Sequence, residues 1–391
     1  MTIPAGFRVA SLAAGLRYQN RLDLGLIVAD KLFGSAAVFT QSRTRAAPVL
    51  WSARKLSHGR AILANAGQAN AQTGADGDRD CASAAEALAP LLGLKPKEIL
   101  LASTGVIGQR INMEALLKAI PALPPALAPT RDAFARFAEA IMTTDKVSKI
   151  AEETAGDPPV RILGCVKGAG MIAPNMATML AFVITDAAVS SDILQNVLRE
   201  ATDRSFNRIT VDGDASTNDS VFLLASGAAE AAPFSTREPR RLELFAAALQ
   251  KTLDSLATAI VRDAEGGTKC VRVALKGARN EKEAVLAARA VAESLLVKTA
   301  LFGSDPNWGR ILAALGRSGA VFDPYLVDID VNDVPLARRG LDAGMENAAR
   351  EVMLQSEFAI RVDLHNGNGE ASFLTSDLSR EYVTINASYR S

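Results

Sequence analysis

Histidine and cysteine are both scarce in this chain of 391 residues, and each scarcity excludes a class of functional site. The two histidines, His58 and His365, lie in neither an HExxH nor an HxxxH pattern, so a histidine-rich zinc site is not expected and a Ser-His-Asp triad has few candidates. The three cysteines are widely spaced and form no CxxC pair, which argues against a disulfide framework or a zinc ribbon and indicates reduced thiols. We therefore expect no metal site and a nucleophile that carries its own base.

Net charge is also absent, because 43 Lys and Arg residues balance 43 Asp and Glu residues. Nucleic acid or an anionic membrane would favour a basic excess, so neither is expected as a partner. The first residues show no export-signal pattern, so none is expected, and neither GxxxxGK[ST] nor GxGxxG follows a strand. The longest uncharged window, 168–185, contains Pro174 and Asn175 and is interpreted as a buried loop and strand. We expect a cytoplasmic protein that binds small polar metabolites and uses no cofactor.

Helical and strand-like patterns alternate along the chain and predict an α/β fold. Hydrophobic residues make up 49% of the chain, enough for a sizeable core in two domains or in one large α/β body. Apolar periodicity predicts helices over 131–142, 191–201 and 280–298. A further helix is predicted to begin with Asp305 as its cap. Strands are predicted over 325–331, 359–364, 371–374 and 382–385, with a turn at 366–369.

The stretch KGAGMIAPNMATML, residues 167–180, places Thr178 between a segment rich in Gly, Pro and Asn and an apolar run that predicts a buried strand. A threonine hydroxyl needs an adjacent base to act as a nucleophile. If the bond between Ala177 and Thr178 is cut, the new α-amino group of Thr178, with a reference pKa of about 7.7–8.0, can be that base. Gly168 and Gly170 allow the strained backbone that an N-to-O acyl shift requires. The alternative is a core strand threonine hydrogen-bonded to a neighbour.

A second candidate element of a site is the Thr104-Gly105 pair, which follows the apolar run ILLA and Ser103. A strand that runs into Thr-Gly leaves backbone N–H groups and a hydroxyl free at its end, as an oxyanion requires, and an ordinary turn is the alternative. The stretch DGDASTND, 212–219, fails the pattern of a calcium loop, because Thr217 and Leu223 stand where glycine and glutamate are required. It is interpreted as a polar turn between strands that could shape the site, and is named here the acidic turn.

Two single charges are candidates for substrate recognition. Lys167 can hold a substrate carboxylate as a point charge, and the alternative is a solvated lysine. Glu265, in the segment DAEGGTK, can hold a substrate amine, and the alternative is an acid in an exposed loop.

Six motifs, taken in order with the ending NASYRS, resemble the glutamate N-acetyltransferase family, also called ornithine acetyltransferase, of arginine biosynthesis. The motifs are NAGQANAQTG, LLASTGVIGQ, KGAGMIAPNMATML, ITVDGDASTNDS, DAEGGTK and GSDPNWGRI. The resemblance implies a layered α/β/β/α sandwich of the N-terminal-nucleophile type. It also implies a precursor that cuts itself into an α chain, 1–177, and a β chain, 178–391, which assemble as an α2β2 heterotetramer.

The same resemblance implies roles for particular residues. Thr178 is implied as the nucleophile, and Thr104 with Gly105 as the oxyanion hole. Substrate contacts are implied for Thr144, Lys167, Thr178, Glu265, Asn386 and Ser391. Within the segment MTTD, Thr143 is the alternative to Thr144.

The activity implied by the resemblance is transfer of an acetyl group from N-acetylornithine to glutamate, by a ping-pong reaction through an acetyl-threonine ester. No residue in the sequence decides whether acetyl-CoA also serves as a donor. Two rival functions stay open. A self-cleaving aminopeptidase of similar fold would pass the acyl group to water, and an uncut metabolite-binding protein would retain the fold without catalysis.

Overall fold

A computed structural model describes residues 2–173 and 179–388 of the chain. In chain order its strands are Phe7–Leu12 (β1), Leu24–Ala29 (β2), Gly34–Phe39 (β3), Ala61–Gln68 (β4), Ile99–Val106 (β5), Lys149–Ala155 (β6), Val160–Lys167 (β7), Leu180–Thr185 (β8), Ile209–Thr210 (β9), Ser220–Ala225 (β10), Cys270–Ala278 (β11), Asp328–Val331 (β12), Val334–Arg338 (β13), Leu341–Asp342 (β14), Glu357–Asp363 (β15) and Gly369–Ser376 (β16). Its α-helices are Ala47–Lys55 (α1), Gly74–Leu88 (α2), Met113–Ala119 (α3), Arg131–Ala140 (α4), Ser191–Arg204 (α5), Pro239–Arg262 (α6), Glu281–Ala292 (α7), Leu295–Phe302 (α8), Trp308–Gly316 (α9), Glu346–Met353 (α10) and Arg380–Ser388 (α11).

Two of the sheets pack face to face. Sheet 1 has the strand order β1-β2-β4-β5, with β4 and β5 parallel, and sheet 2 has the order β3-β10-β8-β7-β6, with β8 and β10 parallel. Strands β2, β8 and β10 are buried along their whole length, and their sequences LGLIVA, LAFVIT and SVFLLA are accordingly almost continuous apolar runs. Side chains of both sheets meet in one core, where the ring of Phe182 stacks on that of Phe222 with centroids 5.7 Å apart.

Helices cover the outer faces of both sheets. On sheet 1, Cys81 and Leu88 of α2 pack in one cluster with Leu26 and Leu101. On sheet 2, helices α5 and α6 pack against the outward side chains of β7, β8 and β10. The layers are therefore helix, sheet, sheet and helix, and the predicted α/β/β/α class is confirmed.

Helix α6 is long and apolar enough, by length and composition alone, to match a membrane span. Its apolar side is nevertheless occupied within the fold, since Leu249, Leu253 and Leu256 are buried in the core beneath sheet 2. The strand predicted within the uncharged window 168–185 is confirmed as β8, which is buried between its two neighbours. Helix α6 and strand β8 are thus core elements of this body.

A third sheet of seven strands has the order β14-β13-β12-β15-β11-β16-β9. Helices α7 to α10 pack around it in a second core. Its strand β11 follows shortly after the segment that carries Glu265. The C-terminal helix α11 follows its strand β16 after a short connection.

The predicted helices over 131–142 and 191–201 are confirmed as α4 and α5. The helical pattern over 280–298 is divided into α7 and α8, because Ser294 caps the second helix by accepting the N–H of Val297 at 3.4 Å. The helix predicted after Asp305 exists as α9, but its cap is Asn307, whose Oδ1 accepts the N–H of Arg310 at 3.1 Å. Strands β12, β15 and β16 match three of the predicted runs, with β12 starting three residues later than predicted.

The strand predicted over 382–385 is wrong, because these residues lie in helix α11. The β-branched residues of the run favour a strand, but a capping signal precedes them. The hydroxyl oxygen of Ser379 accepts the N–H of Tyr382 at 3.3 Å, and Glu381 lies in the first turn, where a negative charge is favourable. These two residues were the signal that the sequence offered for a helix.

Candidate active site

A cleft opens at the end of the sandwich where β5 of sheet 1 and β7 of sheet 2 both terminate. Its volume is about 560 Å³, including its open mouth. The predicted site residues within the described ranges all line it, namely Thr104, Gly105, Thr144, Lys167, Glu265 and Asn386. Thr143, the alternative to Thr144, lines it as well. Residues that are far apart in the sequence therefore converge on one place.

Other predictions concern residues outside the described ranges. Ala177 and Thr178 fall in the segment 174–178, together with the division of the chain into 1–177 and 178–391. Ser391 follows the last described residue of α11. The roles predicted for these three residues stay predictions.

Two carboxylates of the acidic turn hold the chain on either side of the segment 174–178. Asp212 accepts the N–H of Met171 at 2.6 Å, and Asp219 Oδ1 accepts the N–H of Met179 at 2.8 Å. Asp219 is fully buried, and burial raises the pKa of its carboxyl well above its usual value. The turn also lines the cleft through its small polar residues. The acidic turn therefore shapes the site.

Thr104 and Gly105 lie within β5, which continues through them to Val106 and stays paired with β4. The alternative of an ordinary turn at this pair is therefore wrong. Gly105 has a φ of +128°, and a Cβ atom on it would lie 2.3 Å from the carbonyl carbon of Gly67. Only glycine tolerates this backbone angle and this close approach together.

Asn218, a residue of the acidic turn, fixes the strand that carries Thr104, although the sequence assigned it no role of its own. Its side-chain Nδ2 donates to the backbone oxygens of Ala69 at 2.6 Å and Ser103 at 2.8 Å. Ser103 is held a second time, since its hydroxyl donates to Asn65 Oδ1 at 2.6 Å. Because Asn218 and these partners are buried, the bonds are sheltered from water. The amide of Asn218 thus ties the start of β10 to the ends of β4 and β5.

Lys167 is the last residue of β7 and is 2% exposed. Its Nζ donates to Thr104 Oγ1 across the cleft at 3.1 Å. Burial lowers the pKa of Lys167 below its ordinary value, while the negative charges of Asp145 and Glu265 oppose this and the positive charge of Lys149 adds to it. The alternative of a solvated lysine is therefore wrong.

A buried ion cluster lies directly behind Lys167. Lys149 Nζ contacts Asp145 at 2.7 Å and Asp263 at 2.6 Å, and all three side chains are nearly inaccessible. Asp145 also accepts the N–H of Gly168 at 2.7 Å and that of Thr143 at 3.1 Å. Burial would raise the pKa of Asp145, but the ammonium groups beside it outweigh burial and hold the pKa below its usual value. By accepting the Thr143 N–H, the cluster holds in place the segment whose residues Thr143 and Thr144 line the cleft.

Glu265 stands opposite Lys167 and is 8% exposed, so the alternative of an exposed loop acid is wrong. Its Oε2 accepts a hydrogen bond from Asn386 Nδ2 of α11 at 2.9 Å, and its backbone N–H donates to Ala169 at 2.8 Å. Helix α11 is anchored nearby through Tyr382, whose hydroxyl donates to Asp212 at 3.2 Å. The C-terminal helix therefore forms one wall of the cleft.

The chemistry available in the cleft follows from these groups. An ammonium and a carboxylate on opposite walls suit a small zwitterionic ligand, and the hydroxyl of Thr104 can stabilise negative charge that develops on an oxygen. Within residues 2–173 and 179–388, no cluster of three or more His, Cys, Asp or Glu side chains suits a metal ion.

The layered body and the polar cleft define a fold class, that of the N-terminal-nucleophile type, which the motif resemblance predicted. The chain belongs to the ArgJ family, whose model matches residues 8–391. It is 47% identical to an arginine biosynthesis bifunctional protein ArgJ of Desulfotalea psychrophila, over 99% of each chain. A protein of the same name from Geobacter sulfurreducens is 47% identical, over 98% of this chain and 99% of that one. The predicted family and the prediction of an enzyme are thereby confirmed.

A solved structure agrees with the sequence comparisons. The crystal structure of an arginine biosynthesis bifunctional protein ArgJ from Bacillus halodurans is 41% identical, with a TM-score of 0.51. The match covers 53% of this chain and 98% of that chain.

Proposed function

We propose that this chain transfers the acetyl group of N-acetylornithine to glutamate, giving ornithine and N-acetylglutamate in arginine biosynthesis. The observation that carries the proposal is the meeting of Thr104, Lys167 and Glu265 in one cleft, next to the held ends of the segment that contains Thr178. The names of the relatives, which refer to arginine biosynthesis, support the same pathway.

The nucleophile in this proposal is Thr178 after the chain has cut itself between Ala177 and Thr178. In the cut, the Thr178 hydroxyl attacks the Ala177 carbonyl, the acyl group moves from nitrogen to oxygen, and water hydrolyses the ester. The products are the chains 1–177 and 178–391. The freed α-amino group, with a reference pKa of about 7.7–8.0, then serves as the base for its own hydroxyl.

The transfer takes place in two half-reactions. The Thr178 hydroxyl attacks the acetyl carbonyl of N-acetylornithine, its proton passes to the α-amine, and the oxyanion accepts hydrogen bonds from Thr104 and the Gly105 N–H. The C–N bond breaks, the departing nitrogen takes the proton, and ornithine leaves behind an acetyl-threonine ester. The amine of glutamate then attacks this ester, its proton passes by way of the Thr178 α-amine to the threonine oxygen as the C–O bond breaks, and N-acetylglutamate leaves the restored Thr178 hydroxyl.

Substrate contacts are proposed for Thr144, Lys167, Glu265, Asn386 and Ser391, besides the nucleophile. The buried ammonium and carboxylate have opposite signs, so the cleft can bind the shared carboxylate of the two amino acids and also tell their side chains apart. Glu265 would recognise the side-chain amine of ornithine. The substitution Glu265→Gln should raise KM for N-acetylornithine more than KM for glutamate. An equal change of KM for both substrates would reject this role.

The test of the function is the intact mass and activity of Thr178→Ala beside wild type and Thr178→Ser. Wild-type protein should give two chains, the second beginning Thr178-Met179-Leu180, and Thr178→Ala should fold but stay uncut and inactive. Thr178→Ser keeps a hydroxyl and should retain cutting and some activity. An active Thr178→Ala protein would remove the scheme.

Steady-state kinetics test the order of the reaction. Varying N-acetylornithine at several glutamate concentrations should give parallel double-reciprocal lines, as a covalent acetyl-enzyme requires. Intersecting lines would indicate a ternary complex instead. Replacing N-acetylornithine by acetyl-CoA in the same assay decides whether the enzyme has a second donor.

Assembly and location complete the proposal. We propose that two copies of each chain form an α2β2 heterotetramer in the cytoplasm. Light scattering of the cut protein should give a particle mass equal to twice the summed masses of the two chains. A particle mass equal to that sum would contradict the tetramer.

A further inference from the structure

We propose that Lys167 is a positioning residue for the Thr104 hydroxyl: by donating to Thr104 Oγ1, it leaves the hydroxyl proton of Thr104 free to donate to the oxyanion of the reaction. This role is additional to substrate binding and rests on the proposed function of Thr104. It is carried by one contact, the 3.1 Å bond between Lys167 Nζ and Thr104 Oγ1.

The direction of this bond follows from the inventory of donors and acceptors. An ammonium group has three N–H donors and no acceptor, whereas a threonine hydroxyl has one donor and two lone pairs. As long as Lys167 is charged, Thr104 Oγ1 must therefore be the acceptor. The hydroxyl proton of Thr104 cannot point at Lys167 and must find another partner.

The burial of Thr104 limits where that proton can go. The residue is 4% exposed, and within the described ranges its hydroxyl bonds to the ammonium of Lys167. A buried donor without an acceptor is costly, by about 1–3 kcal/mol. An oxygen that becomes negative in the cleft would relieve this cost at the moment when the charge appears. The arrangement therefore favours the transition state over the free enzyme.

The charge of Lys167 decides whether the arrangement works. A neutral amine has a lone pair, so it could accept the Thr104 proton, reverse the bond and remove the oxyanion donor. The groups that act on this charge are the carboxylates of Asp145, Glu265 and Asp219, which favour the ammonium, and Lys149, which disfavours it together with burial. Asp145 is fixed beside Lys167 through its bond to the Gly168 N–H.

A double-mutant cycle with Lys167→Met and Thr104→Val tests the role, with kcat and KM measured per mole of cut chain as given by intact mass. Each single variant should lower kcat by about 10²–10³-fold, as expected when one oxyanion donor is lost. Because Lys167 acts through Thr104, the double variant should lose no more kcat than the worse single variant. Independent contributions would instead multiply, and that result would overturn the proposal.

The split between kcat and KM separates positioning from anchoring. If Lys167 only anchors a substrate carboxylate, Lys167→Met should raise KM and leave kcat unchanged, and this outcome also overturns the proposal. The variant Lys167→Arg keeps N–H donors and has no acceptor at this position, so it should recover part of kcat. It also provides the measurement if Lys167→Met does not fold. A folded Lys167→Arg protein that loses kcat by the full factor of about 10²–10³ expected for a lost oxyanion donor, and loses as much again as wild type does when Thr104→Val is added, would contradict the role.

The pH profile gives an independent readout. In wild type, kcat should fall as the pH rises through the pKa of Lys167, which burial holds below its ordinary value of 10.5. In Thr104→Val this high-pH limb should disappear, because the hydroxyl through which Lys167 acts is gone, and a limb that persists would reject the inference. If Thr104→Val has the kcat of wild type, the proposed oxyanion role of Thr104 is what fails.

Discussion

Gly105 is a residue at which strand β5 lies very close to the backbone of β4. Its φ is +128°, and an added Cβ would lie only 2.3 Å from the Gly67 carbonyl carbon, so no side chain has room there. We expect Gly105→Ala to lower the free energy of unfolding by about 4 kcal/mol or more, because backbone atoms must move. Soluble yield and urea unfolding measure this.

The matched control is Gly108→Ala, three residues further along. Gly108 also has a positive φ, +81°, but nothing lies within 4 Å of an added Cβ. Gly108→Ala should therefore lower the free energy of unfolding by only about 1 kcal/mol, which is the cost of the backbone conformation alone. If the two variants lose the same stability, the close approach of Gly105 to Gly67 is not what requires glycine.

Asn218 lets the same strand be perturbed without touching its backbone. Asn218→Ala removes two donors and leaves the oxygens of Ala69 and Ser103 buried and unpaired, which should lower the free energy of unfolding by about 2–4 kcal/mol. Because Ser103 precedes Thr104, kcat should fall at least about tenfold as well. Urea unfolding and steady-state kinetics measure both effects. Asn366→Ala, in which an exposed bond to the backbone oxygen of Val321 is lost, should change either quantity little, and similar losses in both variants would contradict the role.

The motifs predicted which residues line the cleft, but not what holds them. Thr104, Lys167, Glu265 and Asn386 each lie in a motif that the resemblance identifies. Asn218 acts on residues more than a hundred positions earlier, and no local pattern reports such a contact. The pairing of Lys149 with Asp263 in the ion cluster is equally hidden, because the two residues meet only through the packing of sheet 2 against α6.

At the scale of elements, helices with a regular apolar stripe were predictable and short surface elements were not. Helices α4 and α5 bury one face against a sheet, so their periodicity carries the information. Helix α11 buries none of its residues, and its β-branched residues alone predict a strand. Its helical state depends on the Ser379 cap and on contacts with Glu265 and Asp212, which are tertiary.

Helix α8 carries a buried lysine whose titration should affect stability. Lys298 donates to Thr375 Oγ1 at 3.0 Å and to the backbone oxygen of Ser376, and burial lowers its pKa to about 8. Between about pH 8 and 10.5 the unfolded chain binds the proton more tightly, so the free energy of unfolding should rise with pH by about 3 kcal/mol in total. This contribution is present above pH 10.5 and is lost as the pH falls through about 8.

The measurement for Lys298 is urea unfolding from about pH 7 to about pH 10 for wild type and Lys298→Met. The variant should show a smaller increase of stability with pH, whatever its absolute stability. Lys282→Met, at an exposed position of α7, should keep the slope of wild type. If the stability of Lys298→Met rises with pH as steeply as that of wild type, the Lys298 ammonium does not titrate in this pH range.

At the scale of the whole molecule, sheet 2 is interleaved across the proposed cut. Strands β3, β6 and β7 precede it, β8 and β10 follow it, and the spatial order β3-β10-β8-β7-β6 places the later strands between the earlier ones. The ion pair between Lys149 and Asp263 also joins the two parts. Separating the chains would break two strand pairs and expose the central core.

We therefore expect the cut chains to behave as one body. In native buffer, size-exclusion chromatography with intact mass detection should find both chains in a single peak, at the elution volume of the uncut Thr178→Ala protein. Denaturant should be needed to separate them. Release of either chain in native buffer would contradict the interleaved sheet.

The pairing of β3 with β10 also determines when sheet 2 can be completed during synthesis. Six residues near the N-terminus find their partner only after roughly 180 further residues have been made. At about 5–20 residues per second, the ribosome needs on the order of 10 to 40 seconds to deliver it. During that interval the edge of the growing sheet is open to other nascent chains. The dependence of sheet 2 on holding chaperones should accordingly end when residue 225 leaves the exit tunnel.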